Sequence, residues 1–366
     1  MYSQRKALLW PLILGLTWTL GQIAGSNSYS YQALQKEGRQ INIRRLFAFT
    51  LVLAMLILAL AAEKAAAEGS TTEIIAFVRH GNIWITDIAG ITERKLTNFG
   101  ICGGPALSPD GQQVAFHCRG ENDIFPDTGF GQIYLAEIKG GKPRRLNFKG
   151  ILAAEHPAFS PDGKSLVFVG LSEIKKQEKD GYVQVFATMS ISIADIKTGK
   201  IRNILRHQNT MLDAGYIYSN PTFSPDGQLI LWQHSGSDVS GGFSIMDLKG
   251  KTIFQFPLEN ENSTPYWRPS LSRDGRRVLC YTPATSDTSE DMIYFIDRAS
   301  GKMITVTNGT NPVFVNNETA IVFESWENRW NEMASSGLWF LEIASKSAPR
   351  RILLDAEQPA SITVRK

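Results

Sequence analysis

The segment Pro157-Ala-Phe-Ser-Pro-Asp-Gly-Lys-Ser-Leu-Val-Phe168 decides the fold, because the chain of 366 residues contains several close copies of it. The copies begin at Pro105, Pro221, Pro269 and, in diverged form, Pro312, and half a copy begins at Pro359. Successive copies begin 43 to 64 residues apart. A phrase that recurs at this spacing indicates a protein built from repeated structural units.

The repeated phrase has the features of a β-hairpin. In the turn Ser-Pro-Asp-Gly, proline fixes φ near −65° at the first central position and glycine supplies the positive φ that closes the turn. The serine can hydrogen-bond to the backbone that follows it. The residues on either side alternate between apolar and polar, which is typical of strands.

Each hairpin is followed by two further strand patterns, so each repeat predicts a four-stranded antiparallel blade of a β-propeller. The first blade begins with its second strand at Ile74–Phe77 and continues through Asn82–Ile88 and Arg94–Thr97. Its first strand is supplied by Pro359–Val364. We therefore predict an all-β, six-bladed propeller closed by pairing of the N- and C-terminal strands, which removes exposed sheet edges.

The Ser-Pro-Asp-Gly repeats resemble those of TolB-type (WD40-like) β-propellers, over about residues 70–366. TolB itself also has an N-terminal α/β domain. Few residues separate Ala67 from the first blade strand, so that domain is expected to be absent here. This departure puts a role in the Tol envelope system in doubt.

Residues 1–67 are predicted to be a targeting segment, and residues 68–366 the propeller. Arg44-Arg45 form a basic region, Leu46–Ala62 an apolar run without charge, and Ala65-Ala66-Ala67 a small-residue cleavage site. An earlier apolar run, Ala7–Gly25, also follows basic residues. Either run is long enough to span a membrane, so cleavage and retention as an anchor both stay open. Both predict export, with membrane contact only through this segment if it is retained.

The positive charge behind the net value of +3 lies in the targeting segment, and the remainder is slightly acidic. Residues 1–67 contain seven Lys or Arg and two Asp or Glu, whereas residues 68–366 contain 31 and 33. Nucleic-acid binding needs a basic surface, so the composition argues against it. The five loops between second and third strands hold 13 acidic against 5 basic residues. A basic partner is therefore expected.

The loops divide into a tight set on one face of the ring and a long set on the other. The tight set contains the Ser-Pro-Asp-Gly turns and the turns between third and fourth strands. The long set contains Arg119–Gly131, Gly170–Tyr182, His234–Gly242, Thr282–Asp291, Glu324–Gly337 and the connection Arg206–Ser219. Because binding residues concentrate on loops that a rigid scaffold holds, we place function on the long-loop face and in the central channel.

The candidate contact residues on this face are of two kinds. Some are tryptophan, tyrosine or arginine, the residue types enriched at binding hot spots, and the others are histidines that the strand register places at this face. Together they are His117, His156, His234, Tyr266, Trp267, Arg268, Trp326 and Trp330. For any one of them, packing within its own loop is an equally good interpretation. All five histidines fall at this face, but none has ligand spacing to another, so no metal site is predicted.

Cys102 and Cys118 flank the first hairpin of the second blade. Counted outward from the turn Ser108–Gly111, Cys118 faces Ile101, one residue from Cys102. In an oxidising compartment a disulfide between them is expected. Cys280 aligns with the apolar last position of the repeated phrase and is predicted to be a core residue.

No Gly-x-Ser-x-Gly, His-Glu-x-x-His or phosphate-loop motif occurs in the sequence, and no cofactor is predicted. The leading hypothesis is an exported, periplasmic, non-enzymatic propeller that binds a protein or peptide in the cell envelope. By analogy, TolB-type propellers bind envelope proteins, but fold alone does not establish function. The alternative is a polysaccharide lyase or glycosidase that uses paired carboxylates or histidines at the channel mouth.

Overall fold

The computed structural model describes residues 71–119, 131–179, 182–211, 217–235, 241–256, 266–284, 290–326, 336–345 and 347–365. The predictions for residues 1–67, for Trp330 and for most of the long loops lie outside these ranges. Residues 71–366 form one compact unit. No helix among the described residues is long and apolar enough to cross a membrane.

The described strands form six sheets of four antiparallel strands, so the predicted propeller is confirmed. Blade 1 contains β1 (Thr71–Arg79), β2 (Asn82–Asp87), β3 (Arg94–Lys95) and, from the end of the chain, β24 (Glu357–Arg365). Blade 2 contains β4 (Cys102–Leu107), β5 (Gln113–Cys118), β6 (Gln132–Glu137) and β7 (Arg144–Arg145). Blade 3 contains β8 (Ala153–Phe159), β9 (Ser165–Lys179), β10 (Tyr182–Asp195) and β11 (Ile201–Met211).

The remaining three blades repeat the same order. Blade 4 contains β12 (Ile217–Phe223), β13 (Leu229–Ser235), β14 (Gly242–Asp247) and β15 (Thr252–Phe256). Blade 5 contains β16 (Trp267–Leu271), β17 (Arg277–Thr282), β18 (Met292–Asp297) and β19 (Met303–Asn308). Blade 6 contains β20 (Thr310–Val315), β21 (Ala320–Trp326), β22 (Ser336–Glu342) and β23 (Arg350–Leu354), with a 3₁₀ turn at Asn316–Glu318.

Blade 1 closes the ring as predicted. β24 pairs with β1 in antiparallel register, with Ile74 opposite Ile362 and Ala76 opposite Ala360. The innermost strand of the first blade therefore comes from the end of the described chain. This pairing occupies the edge of β1, which would otherwise be open to other strands.

The Ser-Pro-Asp-Gly turns form the hydrogen bonds that the sequence predicts. In blade 3 the Gly163 N–H donates to the Ser160 carbonyl at 2.8 Å, and the Ser165 N–H donates to Ser160 Oγ at 2.9 Å. Ser160 Oγ donates to Asp162 Oδ1 at 2.6 Å, and this bond is the main cause of a lowered pKa at Asp162. The serine thus connects both ends of the turn, which fixes the register of β8 and β9.

The core lies between the blades, where the second strands contribute fully buried aromatic and aliphatic side chains. Phe77, Phe116, Phe168 and Phe323 occupy equivalent positions on their strands and are at most 1% exposed. Cys280 occupies the same position in blade 5, is buried and carries a free thiol, as the alignment predicted. Each blade thus packs a side chain from the end of its repeated phrase into the core.

Blade 3 has longer strands than the sequence predicts, in place of two of the expected long loops. Strands β9 and β10 continue through most of Gly170–Tyr182, pairing as far as Lys179 with Tyr182, and β11 continues to Met211. The predictions of loops at Gly170–Tyr182 and at Arg206–Met211 are therefore wrong. Backbone hydrogen bonds of a three-stranded ladder extend this blade, with the Arg206–Glu173 ion pair at 2.7 Å between its outer strands.

Candidate functional site

The first strands of all six blades surround a central channel with a cavity of about 360 Å³. Each blade contributes the segment around its repeated proline, for example Pro105, Pro157 and Pro221. The inner surface of the channel is therefore built from the repeat that decides the fold. Side chains next to these prolines determine what the channel can bind.

The residue before each of these prolines has a left-handed backbone conformation. We call these six residues the pre-proline ring: Gly104, His156, Asn220, Arg268, Asn311 and Gln358, with φ between 48° and 56°. Each lies at a β-bulge, where the pairing of the first and second strands shifts register. Because the conformation recurs in all six blades, it is a property of the architecture rather than of one special position.

Side-chain hydrogen bonds connect neighbouring blades at the level of the pre-proline ring, which we call the neck of the channel. Gln358 Oε1 of blade 1 accepts the Gly104 N–H of blade 2 at 2.8 Å. Gln233 Oε1 of blade 4 accepts both Asn220 Nδ2 at 3.1 Å and the Arg268 N–H of blade 5 at 3.1 Å. Two of these bonds cross between blades and hold Gly104 and Arg268 in place, whereas the bond to Asn220 lies within blade 4.

Glu324 makes the equivalent connection between blades 6 and 1. Its Oε2 atom accepts Asn311 Nδ2 at 2.7 Å and the Gln358 N–H at 3.3 Å. The side chain is 5% exposed, and burial is the main cause that raises its pKa, with Glu357 adding to the increase. The hydrogen bonds and the nearby Arg268 act in the opposite direction. Glu324 is therefore a buried carboxyl group that takes up a proton more readily than an exposed glutamate.

His117 and His156 lie side by side at the neck. Their ring centroids are 5.4 Å apart, and the His156 N–H points to His117 Nδ1 at 3.4 Å. Burial, followed by the neighbouring His156, lowers the pKa of His117 to about 3, so this imidazole is neutral at physiological pH. A Cβ atom on Gly104 would lie 2.9 Å from His117 Nδ1, so the close approach and the positive φ both require glycine there.

Glu155 accompanies the two histidines. A Glu155 carboxylate oxygen lies 3.3 Å from His156 Nδ1, which is ion-pair distance without hydrogen-bond geometry. Burial acts to raise the pKa of Glu155, but the interactions with His156, His117 and Arg119 together outweigh it, and the pKa is lowered. Among the described residues, no three His, Cys, Asp or Glu side chains are placed to hold a metal ion.

Arg268 brings a positive charge into the neck. Its guanidinium influences the pKa of His117 in blade 2, Tyr281 in blade 5 and Glu324 in blade 6. Blades 2 and 5 are on opposite sides of a six-bladed ring, so the side chain extends into the channel rather than along its own blade. Burial raises the pKa of Tyr281 to about 12, partly offset by Arg268.

The other sequence-predicted residues have different environments. Trp267 is 40% exposed and contacts Tyr281, with ring centroids 6.1 Å apart. Trp326 ends β21 and is half-buried. Tyr266 is 8% exposed, packs edge-on against Phe256 and donates to Met303 Sδ, so it supports the surface rather than forming it.

His234 is also buried, at 7% exposure, and its ring lies 5.1 Å from that of Trp232. Burial lowers the pKa of His234. Trp330 lies outside the described residues. Of the eight predicted residues, the structure therefore brings His117, His156 and Arg268 together at the neck.

The sequence analysis did not identify six residues of the neck: Gly104, Asn220, Gln233, Asn311, Glu324 and Gln358. Four of them precede a repeated proline, and that position marks every member of the pre-proline ring. Asparagine, histidine and glycine tolerate a positive φ better than most residues, so their recurrence before the prolines was a usable signal. Gln233 and Glu324 occupy the same position of the second strand as His117.

No protein-family model matches the chain. In sequence it is 27% identical over 127 residues to dipeptidyl-peptidase 5 of Porphyromonas gingivalis and 27% identical over 151 residues to the uncharacterized peptidase YuxL of Bacillus subtilis. The matched segments cover 34% and 35% of this chain but only 15% and 21% of the relatives. The similarity therefore concerns a small part of each peptidase.

Solved structures resemble a larger part of the chain. TolB from Acinetobacter baumannii superposes with a TM-score of 0.57 at 18% identity, covering 79% of this chain and 66% of TolB. A chain of the nidogen/laminin complex superposes with a TM-score of 0.52 at 11% identity, covering 79% of this chain and 98% of that one. At these identities the comparison concerns the fold alone, and it agrees with the repeats and the sheet topology: the chain folds as a six-bladed β-propeller similar to that of TolB.

Proposed function

We propose that this chain is an exported, non-enzymatic propeller of the cell envelope that binds a protein partner through an extended segment inserted into the channel. The neck carries this proposal, because it surrounds the channel with hydrogen-bonding side chains and a positively charged arginine. A cavity of about 360 Å³ lies at the lower end of the range for small-ligand sites, roughly 300–1,000 Å³. It accommodates a short segment of chain and not a folded domain.

The surface next to the neck supports the same proposal. Trp267 directly precedes Arg268 and exposes 40% of its surface while its ring contacts Tyr281. An exposed tryptophan held by a second aromatic ring is a typical hot spot of a protein interface. Side chains of the inserted segment would pack on Trp267 while its backbone meets the polar neck.

The acidic composition of the loops on the long-loop face predicts the charge of the partner. The predicted excess of acidic residues there favours a segment that carries lysine or arginine. The basic and apolar patterns within residues 1–67 support export, and with it an interaction in the periplasm. The nidogen chain with the same fold was solved in a complex with laminin, so a propeller of this shape supports protein binding.

Site-specific photo-crosslinking in intact cells tests the proposal. The photoreactive residue p-benzoylphenylalanine replaces Trp267 in one variant of the full chain. In the matched control it replaces Lys164, an exposed residue of the Ser160–Ser165 turn at the other end of the blade strands. Mass spectrometry identifies any crosslinked protein.

We expect one defined protein adduct from position 267, with the linked peptide containing lysine or arginine, and none from position 164. Equal labelling from both positions, or no protein adduct from position 267, would contradict binding at the channel mouth. A crosslink to a polysaccharide instead would favour the carbohydrate-active alternative.

A further inference from the structure

Arg268 is the residue of the neck with the clearest unmet capacity to bind a ligand. Its backbone N–H is satisfied by Gln233 Oε1, and its conformation is fixed at φ 51°. Among the described residues, its guanidinium makes no hydrogen bond and has no carboxylate within 4.0 Å. A guanidinium offers five N–H donors and stays charged at any physiological pH, so the neck presents unused donors to the channel.

No carboxylate among the described residues forms a direct ion pair with this guanidinium. Glu155, the nearest acidic group to the histidine pair, lies 3.3 Å from His156 in blade 3. Glu324 interacts electrostatically with Arg268, but its Oε2 atom accepts hydrogen bonds from Asn311 and the Gln358 N–H, and neither carboxylate oxygen lies within 4.0 Å of the guanidinium. A half-buried cation without a direct ion pair is costly, and an incoming anion would reduce that cost.

We infer that the neck binds the C-terminal carboxylate of the peptide segment that enters the channel, with Arg268 as the residue that recognises it. This inference rests on the proposed function, because it names the part of the partner that reaches the neck. A carboxylate matches the planar fork of a guanidinium and accepts two parallel hydrogen bonds from it. A chain terminus fits because it brings only one segment of chain into a cavity that the first strands surround.

The chain itself supplies the variant that tests this inference. Asn220 and Asn311 occupy the positions equivalent to Arg268 in blades 4 and 6, with φ of 48° and 50°. Arg268→Asn therefore removes the guanidinium while keeping a residue type that tolerates the left-handed backbone. Arg276→Asn is the matched control, because it removes the same charge from an exposed position in the hairpin turn of the same blade.

The probe is a mixture of N-acetylated pentapeptides that contain one lysine and three randomised positions, synthesised once as free acids and once as C-terminal amides. Each mixture is passed over the immobilised full chain, and retained peptides are quantified by mass spectrometry. Acetate at 100 mM is added in a parallel arm, to separate recognition of a peptide end from binding of any small carboxylate. Thermal unfolding of each variant verifies that it is folded.

We expect free acids to be retained at least about tenfold more than amides by the wild type and by R276N, and equally by R268N. Equal retention of acids and amides by the wild type overturns the carboxylate inference but leaves peptide binding intact. If neither mixture is retained but the crosslinks from position 267 persist, the carboxylate inference is overturned and the proposed function is not. Loss of retention in 100 mM acetate assigns the site to small carboxylates in general and overturns recognition of a chain end. If R268N is unfolded, the acid-to-amide ratio of the wild type decides.

Discussion

Glu324 offers a test of the neck through its ionisation. Its buried position raises its pKa, so the folded state binds a proton more tightly than the unfolded state does. The contribution of Glu324 to stability is therefore most favourable at or below the unfolded pKa near 4.5 and is lost as the pH rises through the folded value. Glu324→Gln removes the buried charge and keeps one oxygen to accept from Asn311 and Gln358. We expect the melting temperature to rise by about 2–4 °C at pH 8, the change that roughly 1 kcal/mol produces.

The difference between wild type and E324Q should shrink as the pH is lowered towards 4.5, as measured by differential scanning calorimetry across this range. Glu342→Gln, at an exposed position of the same blade, is the control for the loss of one negative charge. A lower melting temperature for E324Q at pH 8 would mean that the charged carboxylate stabilises the neck, for instance through Arg268.

The neck shows how far single residues could be predicted. His156 and Arg268 were identified because their chemistry is conspicuous in a sequence, whereas Asn220 and Gln358 look like ordinary strand residues. What distinguishes them is their position directly before a repeated proline, where the structure shows a positive φ in every blade. Contacts between blades, such as Gln233 with Arg268, join residues 35 positions apart and leave no local pattern.

At the scale of the strand, the first hairpin of blade 2 contains a Cys102–Cys118 disulfide that closes a loop with a sequence separation of 16. The count that placed Ile101 opposite Cys118 was wrong by one residue, because the bulge at Gly103–Ala106 shifts the register and brings Cys102 opposite Cys118. The double variant C102A/C118A should lower the free energy of unfolding by about 3 kcal/mol, the effect of a crosslink across a loop of this length.

Urea unfolding of the oxidised protein measures this change. Dithiothreitol should lower the unfolding midpoint of the wild type and leave that of C102A/C118A unchanged. An unchanged wild-type midpoint under reduction would show that the two thiols are not bonded in solution.

Blade 3 marks the limit of prediction at this scale. Hairpin turns could be located because proline and glycine favour particular turn positions, but the lengths of β9 and β10 depend on the neighbouring strands with which they pair. Lys175, Lys176 and Gln177 have low strand propensity, yet they pair with Phe186, Val185 and Gln184 of the neighbouring strand. Cross-strand pairing overrides local preference there, so charged residues that suggested a loop belong to a ladder.

The whole molecule was the most predictable level, because six copies of one unit specify the same structure repeatedly. An error in one blade, such as the length of blade 3, does not change the number of blades or their order. The closure of the ring follows from the number of strands. Five blades contain four consecutive strands each, and the three strands that begin near residue 71 are completed by a fourth strand from residues 357–365. The channel and its neck follow from closure, because a ring of first strands exists only when β24 completes blade 1.

Removing residues 357–366 should therefore damage the whole ring rather than one blade. The edge of β1 would be exposed, and Phe77 and Ile75, both fully buried in the intact ring, would lose the strand beside them. We expect the truncated chain to aggregate or to lose cooperative urea unfolding. A synthetic peptide of residues 357–365, added during refolding, should restore cooperative unfolding and Arg268-dependent retention of free-acid peptides, while a scrambled peptide should not. Cooperative unfolding of the truncated chain without the peptide would show that the other strands hold the ring closed.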